Sequence, residues 1–200
     1  IAPALPGFLV SYPKIDITLS LTDRTIDLIE ERVDCVLRVG KPHESGMIAR
    51  PMGDLPLINV ASPLYLSQHG RPCTPGDMTT QQVVQYASPT SGRIAPWEWL
   101  DGDTVRTLTT QGRVTVNSAE AYIACCLAGL GLIQIPAYDV QQHLRAGELI
   151  EVMPEYRAAP MPMNLLYPHR QHLSRRVQVF ADWLDALLKA QLVCDSGAGE

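Results

Sequence analysis

No apolar run in this 200-residue chain approaches the roughly 18 residues of a membrane-spanning helix, so no membrane partner is expected. The opening IAPALPGFLVSYP has no basic leader and is too broken by proline for a signal peptide. Positive charge is scarce. With 16 Lys and Arg against 21 Asp and Glu, the formal charge of −5 argues against nucleic-acid binding by these residues, because phosphate contacts need clustered cations. The basic cluster Arg170, His172, Arg175 and Arg176 reads as the solvated start of a helix. Cysteine is odd in number, five residues with no CxxC or CxH spacing, which excludes the usual zinc motifs and points to reduced thiols in a cytoplasmic protein. No GxSxG elbow, HExxH or P-loop is present, and the histidines are scattered. Neither an enzyme nor a cofactor is therefore expected.

What the chain does contain is most informative between Asn117 and Pro136, NSAEAYIACCLAGLGLIQIP. Asn117 and Ser118 are good N-cap residues, and Glu120 follows Asn117 by three places. Ala119, Tyr122, Ile123, Cys126, Leu127 and Leu130 then recur at helical spacing, and Gly129 and Gly131 stop the helix. Leu132, Ile133 and Ile135 form a short buried strand that Pro136 ends. These glycines are no dinucleotide fingerprint, because that motif needs the strand before the glycines and the helix after them. A capped helix packed on a strand is where α/β proteins hold small ligands and anions.

Elsewhere, Ile15, Ile17, Leu19 and Leu21 alternate with polar residues as in a strand. Thr22 or Asp23 caps a helix carrying Ile26, Ile29 and Val33, and a second strand, CVLRV, runs into Gly40. Ser62 caps a helix with Pro63 at its first position and Gly70 past its end. Thr104–Leu108 and Arg113–Val116 read as a hairpin around TTQG. Ser174 caps the last helix. This alternation of strands and helices predicts an α/β protein with mainly parallel sheets. The chain is expected to cross twice between two lobes: residues 1–59 with 166–192, and residues 60–165. A disordered tail is expected over 193–200.

Five segments, in order, carry a family resemblance. LPGFLVSYPKIDITLSLTDRTIDLIEERVDCVLRVG resembles the effector-binding domain of LysR-type transcriptional regulators, as do MIARPMGDLPLINVASPLYLSQHGRP, VNSAEAYIACCLAGLGLIQIPAYDV, GELIEVMPEY and YPHRQHLSRRVQVFADWL. The resemblance implies two Rossmann-like lobes arranged as in type II periplasmic binding proteins, with a small-molecule effector in the cleft between them. It also implies an antiparallel homodimer or higher homo-oligomer, and DNA contact only through a winged helix-turn-helix domain upstream of these residues. A strand and polar loop would precede the first helix in that family. Without them, the strand over Ile15–Leu21 is expected to close against Asp34–Val39, or another chain's segment to take the slot.

Candidate effector contacts are Thr22, Arg38, Gly40, Ser88, Thr90, Asn117, Ser118 and Pro136. Each has a plainer reading. Asn117, Ser118 and Thr22 can simply cap helices. Ser88 and Thr90 can solvate a surface loop. Arg38 can be a structural ion-pairing residue, although its planar fork suits a small carboxylate. An exported solute-binding protein of the same fold and an α/β enzyme are the competing functional readings.

Overall fold

The structure, a computed structural model of the chain, describes residues 1–22, 28, 30–40, 46–89, 91–168 and 174–196. Two compact units divide at Asp54/Leu55 and again at Met161/Pro162. The sequence reading placed these crossings at 59/60 and 165/166. The first falls beside Pro56, which separates two extended runs and has no N–H to give to a ladder.

Unit 1 contains α1 (Leu5–Ser11), β1 (Val36–Val39), β2 (Met47–Leu55), β10 (Met161–Pro168) and α5 (Arg175–Ser196), numbered with the elements of unit 2 in chain order. Its sheet runs β1-β10-β2, with β1 antiparallel to β10. Pro6 lies in the first turn of α1, where a missing N–H costs nothing, and the helix buries Phe8. The Phe8 ring meets Phe180 edge-on at 5.6 Å and Trp183 at 4.8 Å, seating α1 on α5. Arg50 on β2 reaches Asp182 at 2.7 Å and Asp185 at 3.3 Å, one turn apart on α5.

Two expectations for this unit change, and a third falls outside the described residues. Residues 15–21 form no ladder; Leu19 is 49% and Leu21 89% exposed, and β1 pairs with β10 instead. Alternation shows which face a strand would bury but supplies no partner. α5 continues to Ser196 where a disordered tail was expected from residue 193, because no glycine or proline interrupts it before Gly197. The predicted helix around Ile26 and Ile29, with its cap at Asp23, lies outside the described residues, as do Arg170 and His172.

Unit 2 contains β3 (Leu57–Ala61), α2 (Pro63–His69), β4 (Gln82–Tyr86), β5 (Trp97–Asp101), β6 (Thr104–Leu108), β7 (Gln111–Val116), α3 (Ala119–Leu127), β8 (Ile133–Pro136), α4 (Ala137–Arg145) and β9 (Ile150–Glu151). β3 lies between β8 and β9 and is antiparallel to both. β4 and β7 are parallel, and a parallel bridge at Val83 and Leu132 joins β4 to β8. Mainly parallel sheets were expected, yet most registered pairings are antiparallel. An antiparallel strand buried on both faces reads as the same continuous apolar run as a parallel one, so direction is invisible in composition.

The core of this unit joins Ile58 and Val60 of β3, Val84 of β4, Ile133 and Ile135 of β8, and Tyr122 and Cys126 of α3. Ser62 and Ser118 cap α2 and α3 as the sequence suggests, with side chains accepting from Tyr65 N–H and Ala121 N–H. The hairpin falls elsewhere than predicted. β6 pairs with β5 around Gly102 and Asp103, and β7 leaves to join β4. Gly102-Asp103 is the turn signal, since Gly102 takes φ 60° at no steric cost. Gly131 is required for another reason. A Cβ there would sit 2.8 Å from the Gln82 carbonyl oxygen, where the chain passes against β4.

Candidate functional site

β4, β7 and β8 run in one direction, so their carboxyl ends share one edge of unit 2. At that edge the Ala87 N–H donates to the Val116 carbonyl at 2.7 Å, which ties the Ser88 loop to the start of α3. Ser88 follows β4, Asn117 and Ser118 follow β7, and Pro136 ends β8. Four predicted contacts thus gather on one rim. Such edges, outside the carboxyl ends of parallel strands, are where open α/β sheets take ligands.

Local hydrogen bonds occupy part of this rim. The Ser118 hydroxyl accepts the Ala121 N–H at 3.3 Å, so it serves as the cap. The Ser88 hydroxyl accepts the Ser91 N–H at 3.3 Å, and the Ser88 carbonyl accepts the Gly92 N–H at 2.8 Å. Asn117 is exposed, while Ser88, Ser118 and Pro136 are half-buried. Thr90 lies outside the described residues. The remaining predicted contacts belong to unit 1. Arg38 is half-buried on β1 opposite Asn164, and the Gly40 N–H donates to the Pro162 carbonyl at 2.8 Å with φ 97°. Thr22 is exposed.

Beneath the rim of unit 2 lie residues that the sequence reading did not propose as contacts. Tyr86 and Tyr122 pack with ring centroids 5.4 Å apart. The Tyr122 hydroxyl accepts the Gln134 N–H at 3.3 Å, and burial pushes its pKa up to about 12, so it stays a neutral phenol. Gln134 itself bonds Asn59 Oδ1 and the Glu98 backbone. Its signal was available: a polar residue interrupts the apolar run Leu132, Ile133, Ile135, and buried polar groups carry partners. Among the described residues no group of His, Cys, Asp and Glu could hold a metal ion, and no helix is long and apolar enough to cross a membrane.

The architecture is the α/β fold of type II periplasmic binding proteins, a ligand-binding class. The chain belongs to the LysR substrate binding domain family, whose profile matches residues 1–189. It is 44% identical over 190 residues to the HTH-type transcriptional regulator YhjC of Escherichia coli K12, covering 95% of this chain and 64% of that one. It is 32% identical to an HTH-type transcriptional repressor of Pseudomonas aeruginosa, covering 92% of this chain and 58% of the relative. The regulatory domain of CrgA, a LysR-type transcriptional regulator from Neisseria meningitidis, superposes with a TM-score of 0.81 at 30% identity, covering 94% and 91% of the two chains. The full-length virulence activator AphB of Vibrio cholerae gives 0.76 at 26% identity, covering 94% of this chain and 63% of AphB. The chain therefore spans less than two thirds of the regulators it resembles. The family is one of regulatory domains and not an enzyme class.

Proposed function

We propose that this chain is the effector-sensing part of a bacterial transcription regulator working in the cytoplasm. A small molecule, a carboxylate or similar anion, settles on the rim formed by Ser88, Asn117, Ser118 and Pro136. On unit 1, Thr22, Arg38 and Gly40 are proposed as effector contacts in their own right, with the Arg38 guanidinium suited to a carboxylate. The observation that carries this reading is the convergence of three strand ends on the capped start of α3. Binding favours one of two conformations, and a helix-turn-helix domain carried elsewhere in the regulator reads the change on DNA. The names of the relatives and the share of their length that this chain covers support that division of labour.

Self-association belongs to the same proposal. Ala124 on α3 and Ala128 just past its end are exposed one turn apart, Leu130 is 48% and Leu64 52% exposed, and Leu64 lies against the position of Gly129. This apolar strip is proposed to meet a second copy of the chain.

The test is a thermal-shift screen of small carboxylates. Hits should stabilise the wild-type chain, and the double variant Asn117→Leu, Ser118→Leu should lose the response while remaining folded. Turnover of a hit by the pure protein would defeat the non-enzymatic reading.

A further inference from the structure

In a parallel ladder, a residue bonds the neighbours on either side of its partner. β8 and β4 begin in this way: Leu132 donates to the Gln82 carbonyl at 3.0 Å and accepts the Val84 N–H at 3.0 Å. Continued regularly, the Gln134 N–H would next donate to the Val84 carbonyl. It donates instead to the Tyr122 hydroxyl. A phenol thus stands where a strand carbonyl belongs, and the ladder ends after one bridge.

The place of this interruption matters. Gln134 precedes Pro136 by two residues, Tyr86 precedes Ser88 by two, and Tyr122 lies one helical turn beyond Ser118. The bond between the Tyr122 hydroxyl and Gln134 therefore lies within two residues or one helical turn of Pro136, Ser88 and Ser118. Tyr122 is only 7% exposed, and its hydroxyl gives its own proton to no acceptor among the described residues. Buried donors are almost always paired. Accepting from Gln134 leaves the phenol with a hydrogen to donate, so it favours a hydrogen-bond acceptor.

We infer that Tyr122 donates a hydrogen bond to a carboxylate or carbonyl oxygen of the effector, entering between the ends of β4 and β8. This makes Tyr122 a specificity-determining contact, and it rests on the rim being the effector site. The phenol stays neutral throughout the physiological range, so the donor is always available.

Acetate is the probe. Protein carrying 15N and a 13C label at tyrosine Cζ is titrated with acetate and followed by NMR, with Tyr122→Phe identifying the Tyr122 resonance. The Tyr122 Cζ signal and the Asn117 and Ser118 amides should shift together and saturate at one Kd. In Tyr122→Phe the amides should still respond, with acetate affinity reduced about tenfold, as for loss of one hydrogen bond to a charged group. Amides that shift while Tyr122 Cζ stays still, or an affinity unchanged in Tyr122→Phe, overturn this inference and leave the rim reading standing. No response at either place overturns both. If Tyr122→Phe does not fold, the wild-type Cζ signal, assigned through its contacts with the Tyr86 ring, decides alone.

Discussion

The side chain of Gln134 acts as a strand partner for Glu98. Its Nε2 donates to the Glu98 carbonyl at 2.8 Å, and its Oε1 accepts the Glu98 N–H at 3.2 Å. The same Nε2 also donates to Asn59 Oδ1 at 2.8 Å, and Asn59 in turn holds the Tyr156 carbonyl at 2.9 Å. One carboxamide thereby ties the β5–β6 hairpin to the central strands of unit 2. Gln134→Leu keeps most of the volume and leaves these groups without partners. Stability in urea should fall by about 2–4 kcal/mol, since each buried unpaired group costs roughly 1–3 kcal/mol. Hydrogen exchange at the Glu98 amide should accelerate before that of the core strand β3.

Gly131 faces backbone on the β4 side, and backbone cannot move aside as a side-chain tip can. Gly131→Ala places a Cβ 2.8 Å from both the Gln82 oxygen and the Val83 carbonyl carbon, at φ 156°. We expect about 1–3 kcal/mol of destabilisation by urea titration, the usual range for overpacking. Gly147→Ala meets nothing within 4 Å and carries only the strain of φ 71°, so it should cost less.

Alkaline pH provides a separate check. Burial pushes the Tyr122 phenol up to about 12, against roughly 10 in an unfolded chain. Because the folded value is the higher one, its contribution is complete below about pH 10 and is lost as pH rises through the folded value. The decline attributable to Tyr122 between about pH 10 and 12 should approach 2–3 kcal/mol. Tyr122→Phe should flatten the stability curve in that window. Part of the slope will persist, because burial also pushes the Cys126 and Cys35 thiols up, to about 12 and about 11.

The exposed strip on α3 predicts an association that charge should abolish. Ala124→Glu with Leu130→Glu adds two charges to a surface away from the core, so the fold should survive within about 0.5 kcal/mol. Sedimentation equilibrium should show the wild-type chain self-associating at tens of micromolar and the double variant monomeric. A wild-type chain that is monomeric there sinks the proposed interface.

Local chemistry by itself determined a good deal of this protein. Ser62, Pro63 and Gly70 bracket α2, Ser118 starts α3, and the run Leu132, Ile133, Ile135 makes a buried strand, because caps and periodicity act over a few residues. The family pattern, spread over the whole length, carried the two-unit α/β organisation. Tertiary structure decided what depends on distant partners. Residues 15–21 have the pattern of a strand and no ladder, while β1 takes β10 from more than a hundred residues away. Strand direction was invisible because a strand covered on both faces looks alike running either way. Gln134 and Glu98 stand 36 positions apart, and Tyr122 enters a gap in a ladder that only the packing of α3 on β8 creates. Hydrogen-bond partners of buried polar side chains are settled by three-dimensional register, and a one-dimensional pattern marks only that a partner must exist.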